Sequence, residues 1–327
     1  MRKIFLDFDK IKSKNHFDEI ALNLFEYQYQ NNLTYRRYCN FLNTVPSKVN
    51  NVKKIPFLPI NFFKSHDLNS SKKLPERCFL SSKTTGEVAS KHPVNDISLY
   101  IKSFKKCFSL FYGNIEEYVL LALLPSYLER ENSSLVFMVN HLIKSTNNPE
   151  SGFYLNDLKK LTKKLIELET KGKKTILIGV SFALLNLSEN FNWKIPNTII
   201  IETGGMKGMR KELIRRDLHK KLKEAFGVTE IHSEYGMTEI LSQAYSQQKG
   251  IFKCPPWMRV YIRSVNDPFE KLGYNQTGGI NILDLANIDS CAFIETQDLG
   301  KLYENGSFEI SGRFDNTEIR GCNLMVL

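Results

Sequence analysis

Apolar residues recur at helical spacing between positions 16 and 42, through Phe17, Ile20, Ala21, Leu24 and Phe25 and then Tyr38, Phe41 and Leu42. That spacing predicts amphipathic helices at the front of the chain. In IPFLPINFFKSHDL, residues 55–68, two prolines rule out a continuous helix and predict an extended, aromatic-rich connector. From residue 78 strand and helix alternate. CFLSS is a strand running into a turn, and Ile97 to Phe111 has helical spacing. EYVLLALLP at 117–125 is a short unbroken apolar run of the kind buried on both faces of a sheet, and TILIGV at 175–180 and NTIIIE at 197–202 repeat it. Between them SSLVFMVNHLIK and LNDLKKLTKKLIELETKG read as helices, the second closed by Gly172, and a further helix is predicted from near Lys207 to Gly227.

After about residue 245 the texture changes. MRVYIRSV, GGINILDL, CAFIETQDLG and GSFEISG alternate in polarity and are separated by Gly, Asn and Asp, which predicts short antiparallel strands. The expected architecture is therefore α/β: a body of buried mixed sheets flanked by helices over residues 1–245, and a small β-rich subdomain over 246–327.

Composition narrows the class. At 327 residues, with 42% hydrophobic and 24% charged residues, the chain has the balance of an ordinary globular protein. The net charge of +10 suits an anionic ligand or an acidic partner, but the basic residues are scattered and no Lys/Arg run is interleaved with aromatics, which argues against nucleic acid. Six cysteines at 39, 78, 107, 254, 291 and 322 form no CxxC pair, so neither a zinc site nor a disulfide framework is expected. MRKIFLDFDK meets acidic residues before an apolar run of signal-peptide length, and Tyr118 to Pro125 falls far short of the roughly 20 residues that cross a bilayer. The expectation is a cytoplasmic protein with no membrane span.

Three segments carry candidate chemistry, in a fixed order. SSKTTG at 81–86 offers hydroxyls, a glycine and backbone N–H groups that can cradle phosphates, although it is not a Walker loop. In SEYGMTE at 233–239, Tyr235 followed by Gly236 can lay a flat ring against a base. Thr238 can hydrogen-bond an α-phosphate, and Glu239 can hold the Mg²⁺ that bridges phosphate oxygens. GRFDNTEIRGCN at 312–323 follows the TQDLG turn that carries Asp298, and a carboxylate with a nearby Arg313 can take ribose hydroxyls and phosphate charge.

Together SSKTTG, the GGM of 204–206, YGMTE, QDLG and GRFDN resemble the ordered core motifs of the adenylate-forming superfamily of acyl-CoA synthetases, luciferases and adenylation domains. More narrowly, IPFLPINFFKSHDL, ETGGMKGMRKEL, HSEYGMTEILSQAYS and DNTEIRGCNLMV resemble the acyl-protein synthetase (LuxE-type) family, over roughly residues 55 to 327. The resemblance implies a phosphate loop at Ser81, Ser82, Thr84, Thr85 and Gly86, adenine contacts from Gly204, Gly205 and a stacked Tyr235, and an α-phosphate contact from Thr238. Glu239 would hold Mg²⁺, Asp298 would bind ribose with Arg313 beside it, and Cys322 would accept the acyl group. ATP and Mg²⁺ are the implied cofactors. A carboxylic acid, fatty by resemblance, is the implied substrate, and an acyl-CoA reductase-like or acyl-carrier protein the implied partner.

Two departures qualify the resemblance. Lys83 stands where the superfamily usually has Gly, and a long side chain there either contacts phosphate or crowds it. The superfamily also continues past the GRxD hinge into a mobile lid that supplies a lysine, whereas this chain stops at Leu327, leaving Lys83, Lys91, Lys207 and Arg210 as candidate cations. His232 either orients the carboxylate substrate or is a structural histidine, and Cys322 is either a nucleophile or a packed thiol. The alternatives to a fatty acid ligase are activation of a small acid for a glycan or secondary metabolite, and a non-catalytic nucleotide-binding homologue.

Overall fold

A computed structural model describes residues 6–82, 88–125, 130–190, 193–204 and 213–314. The chain opens with helices α1 (Lys14–Asn31) and α2 (Leu33–Phe41). Ser13 caps α1 by accepting from the His16 N–H, and Asn32 ends α1 and caps α2 by accepting from the Tyr35 N–H. The apolar stripe of α1 buries Phe17, Ala21, Leu24 and Phe25, and Gln28 is buried in the same row. The connector forms a two-residue strand β1 (Leu58–Pro59) and a single helical turn α3 (Phe62–Ser65), where an extended segment was expected throughout. Phe63 lies fully buried from that turn, so tertiary packing of the aromatic residues favours a compact turn beyond the second proline.

Strands β2 (Arg77–Leu80) and β3 (Lys91–Val94) then pair antiparallel on either side, in sequence, of the Ser/Thr/Gly segment. The alternating region follows as α4 (Ile97–Tyr112), β4 (Val119–Leu123), α5 (Ser134–Ser145), β5 (Gly152–Phe153), α6 (Leu158–Thr170), β6 (Thr175–Val180), α7 (Ser181–Glu189), β7 (Thr198–Thr203), α8 (Arg215–Phe226), β8 (His232–Tyr235) and β9 (Ala244–Ser246). These strands make a six-stranded sheet in the order β5-β4-β6-β7-β8-β9, parallel except for β9. Every residue of β4 and β6 is buried, which is why both read as unbroken apolar runs. Helix α8 ends at Gly227 as expected but starts at Arg215, with Leu213 and Ile214 outside it, rather than near Lys207.

The remaining strands β10 (Ile251–Phe252), β11 (Met258–Arg263), β12 (Thr277–Asp284), β13 (Phe293–Leu302) and β14 (Phe308–Arg313) form a second sheet in the order β10-β14-β13-β12-β11. All of these pairings are antiparallel, and β1 joins by pairing parallel to β13. Arg215 ties the two sheets together. Its guanidinium lies 3.3 Å from Glu202 at the end of β7, donates to the Ile310 carbonyl of β14 at 3.1 Å, and sits 5.0 Å over the Phe252 ring. A guanidinium can meet a carboxylate, a carbonyl and an aromatic face at once because its donors lie in one plane and its face stacks on rings.

Candidate nucleotide site

The motif residues gather where the carboxyl ends of the parallel strands meet the second sheet, the edge on which open α/β sheets bind ligands. At the neck of the Ser/Thr/Gly loop, the Ser81 N–H donates to the Ser90 carbonyl at 3.1 Å and the Ser90 N–H to the Ser81 hydroxyl at 2.8 Å. Ser81 therefore clasps the loop shut, while Ser82 is exposed. Lys83, Thr84, Thr85 and Gly86, with Gly205, Lys207, Arg210 and Cys322, lie outside the described residues.

Ser90, which no motif singled out, faces the Thr-Glu turn. Its hydroxyl favours the ionised form of the nearby Glu239 carboxylate, a residue only 5% exposed. Burial pushes the Glu239 carboxyl above its usual range, against the lowering effects of Ser90 and the Arg313 charge. The Thr238 carbonyl accepts from His92 Nδ1 at 2.7 Å, so the backbone of this turn is tied to β3 on the far side of the loop.

Tyr235 ends β8, and its hydroxyl donates to Asp298 Oδ2 at 2.7 Å. Arg313, directly opposite Asp298 in the β13–β14 register, reaches Oδ1 with Nε at 3.2 Å. Both oxygens of Asp298 are held from within the protein, and each keeps lone-pair capacity for a further donor. The Arg313 side chain is 73% exposed, so its ion pair adds little stability and its charge faces the open side. The Tyr235 ring meets Phe252 and Phe308 edge-on at 6.0 and 5.8 Å, which beds it on aromatic residues of the second sheet. Burial, and then the negative charge of Asp298, drive its phenol pKa well up, so it is a hydrogen-bond donor at all physiological pH.

Gly204 and Gly236 have distinct steric reasons. Gly204 takes φ +66° as the chain leaves β7, a left-handed conformation that favours glycine, and its carbonyl accepts from the Ser181 hydroxyl at 2.6 Å. The same hydroxyl lies 3.0 Å from Glu202, whose carboxyl is opposed by burial yet held low by His219 and Arg215. At Gly236 a Cβ would stand 2.4 Å from Glu234 Oε1, so a larger residue would have to displace the buried carboxylate that accepts from the Thr203 hydroxyl.

The other candidates have structural partners. His232 stacks on Tyr112 at 5.7 Å with Nδ1 3.3 Å from its hydroxyl, and burial lowers its pKa. Cys39, Cys107 and Cys291 are buried, and burial pushes the Cys39 thiol up to about 12, the behaviour of packed rather than reactive cysteines. Lys91 is exposed at the start of β3. A recess of about 140 Å³ opens at the ends of β4 and β5, lined by Leu124, Phe153, Tyr154 and Lys160, away from the motif residues. Among the described residues no helix is long and apolar enough to cross a membrane.

Two sheets meeting at this edge place the protein in the adenylate-forming fold class. The ATP-bound MatB of Rhodopseudomonas palustris aligns over 72% of this chain and 47% of its own length at 17% identity and TM-score 0.55. An open conformation of 2-hydroxyisobutyryl-CoA ligase in complex with 2-HIB-AMP and CoA aligns over 96% of this chain and 76% of that one, at 10% identity and TM-score 0.68. The luciferase-like enzyme of the mealworm Zophobas morio aligns over 75% and 60%, at 15% identity and TM-score 0.52. The chain thus spans about half the length of MatB. No curated protein matches it in sequence. Residues 6–327 match the family described as "Acyl-protein synthetase, LuxE", and the chain belongs to that family.

Proposed function

We propose that the protein activates a carboxylic acid with ATP and passes the acyl group to a thiol. The observation that carries this reading is the convergence of the Ser81–Ser90 neck, the buried Glu239 carboxylate and the Tyr235–Asp298–Arg313 cluster on one edge of the sheet. In the first step a carboxylate oxygen attacks the α-phosphorus of ATP. An O–P bond forms, the bond to the bridging oxygen breaks, and pyrophosphate leaves with acyl-AMP held behind. In the second, a thiolate adds to the acyl carbonyl and AMP departs, leaving a thioester. Neither step asks a side chain to move a proton to or from carbon, so the contribution of the protein is placement and charge neutralisation.

In this reading Asp298 takes the ribose hydroxyls, already oriented by Tyr235 and Arg313. Gly204 lets the backbone approach the base, and Thr238 donates to the α-phosphate. Tyr235 borders the base from its aromatic bed rather than as a free ring. Glu239 is the residue that would hold Mg²⁺: it is a buried carboxylate whose pKa is raised by desolvation. Among the described residues no group of three or more His, Cys, Asp or Glu could hold a metal ion. Bound at Glu239, Mg²⁺ would offset phosphate charge.

The fatty character of the acid and the role of Cys322 as acceptor rest on the family. So does a reductase-like or carrier partner that would receive the acyl group. The test is acid-dependent exchange of labelled pyrophosphate into ATP across fatty, aryl and hydroxy acids with Mg²⁺ present. Exchange with long-chain acids supports the reading as stated, and exchange confined to small acids redirects the substrate. No exchange with any acid would favour a nucleotide-binding protein without catalysis.

A further inference from the structure

We propose that His92 and Asn287 are positioning residues that hold the Thr238–Glu239 turn in its phosphate-facing geometry, an inference that rests on the activation reading above. His92 closes the hydroxyl- and base-rich stretch that begins at Ser81, and Asn287 belongs to no motif of the chain. His92 is fully buried in β3, with Phe63 edge-on to its ring at 5.7 Å. Asn287, 1% exposed, lies on the turn between β12 and β13.

The two residues act on adjacent carbonyls of the turn. Asn287 gives one amide hydrogen to the Glu239 carbonyl at 2.8 Å and the other to the Cys291 carbonyl at 2.7 Å. The Thr238 carbonyl can only accept, so the neutral imidazole carries its hydrogen on Nδ1 and donates there at 2.7 Å, while Asn287 Oδ1 lies 2.9 Å from Nε2. Two successive carbonyls of the turn are therefore held, one from the strand that leaves the phosphate loop and one from the second sheet. The Asn287 turn is itself braced. Gln28 of α1 donates to the Asn287 and Ile288 carbonyls at 2.8 and 2.9 Å and accepts from the Ala292 N–H at 3.0 Å. Asp284 accepts from the Leu241 and Ala286 N–H groups at 2.8 and 3.0 Å, binding the segment after Glu239 to the same turn. With its carbonyls fixed, the turn has little freedom to rotate, and the Glu239 carboxylate stays against Ser90. Displacement by about 1 Å at such a position can cost on the order of 100-fold in rate.

The experiment tests the bond from the imidazole to Thr238. An asparagine at 92 places its amide nitrogen near Nδ1 and keeps the donor to Thr238, whereas a glutamine reaches toward Nε2 and loses it. His92→Gln should lower the turnover of pyrophosphate exchange by about 10- to 100-fold with little change in KM for ATP, and His92→Asn should recover most of that loss. Hydrogen exchange by mass spectrometry supplies a readout independent of activity: in His92→Gln and Asn287→Ala the amides of residues 236–241 should exchange faster while those of β4 and β6 stay protected. Equal rates for the Gln and Asn variants, or unchanged exchange at 236–241, would overturn the clamp. Absence of activity in the wild type would instead overturn the reading on which it rests, and the amide exchange would still decide whether His92 holds the turn.

Discussion

Tyr235 and Asp298 meet across the seam between two sheets, the phenol at the end of a parallel strand donating to a carboxylate in an antiparallel one at 2.7 Å. The bond belongs to neither sheet, so the nucleotide edge exists only when both are docked. If Asp298 takes the ribose hydroxyls, Asp298→Ala should weaken ATP binding by about 1.5–3 kcal/mol, the worth of a charged hydrogen bond. Tyr235→Phe should raise KM for ATP by a smaller factor, because the carboxylate remains but loses its orienting donor. Calorimetric titration of ATP checks both, and unchanged affinity in Asp298→Ala would move the ribose site elsewhere.

Glu239→Gln should abolish pyrophosphate exchange without unfolding the protein. Its carboxyl is raised by burial, so the ionised form is disfavoured by folding and costs stability above the folded-state pKa. The neutral amide removes that cost, and the melting temperature at neutral pH should hold or rise. A variant that is both active and less stable would show the carboxylate to be a structural hydrogen-bonding group.

Cys322→Ser should keep pyrophosphate exchange and lose a hydroxylamine-labile acyl label, since adenylation needs no thiol and the thioester does. A labile label retained in the serine variant would assign the acyl group to another residue. Vigorous exchange with no acyl-protein in the wild type would assign it to an external acceptor.

Stability should depend on pH through two opposed groups. Burial raises Asp284 from 3.8 to about 6, so its contribution declines as pH rises through that window. Burial lowers His92 from 6.5 to about 4, so the native state resists its protonation and stability declines as pH falls. Each shift corresponds to about 3 kcal/mol with opposite sign, and the wild type should show a shallow profile between about pH 4 and 6. Asp284→Asn removes one side. Urea unfolding of that variant should gain stability as pH rises through the window, by up to about 3 kcal/mol. A slope equal to the wild type's would refute the opposition.

The elements legible in the sequence are those whose pattern is local. The unbroken runs of β4, β6 and β7 and the periodic stripes of α1, α4 and α6 announce themselves within a dozen residues, and the alternation in β11 to β14 does so nearly as well. What was not legible depends on distant partners. The two-residue strand β1 exists because Leu58 and Pro59 pair with Ile294 and Glu295, and α3 because Phe63 finds a buried seat. Similarly, Tyr235, Glu239, Asp298 and Arg313 could be picked out by type and order. Ser90, His92 and Asn287 could not, since each is an ordinary polar residue until the fold sets it against the Thr-Glu turn.

Gln28 carries the last consequence. Its amide satisfies two carbonyls and one N–H of the β12–β13 turn from inside α1, all of it buried. The first helix is therefore a keystone and not a prefix: an apolar Gln28→Leu side chain would keep the turn dry and leave three of its main-chain groups without a partner. At about 1–3 kcal/mol for each stranded group, the penalty rivals the net stability of a whole domain. It would also fall on the turn that steadies Glu239, so this one change in the first helix would disable a nucleotide edge built from residues far along the chain.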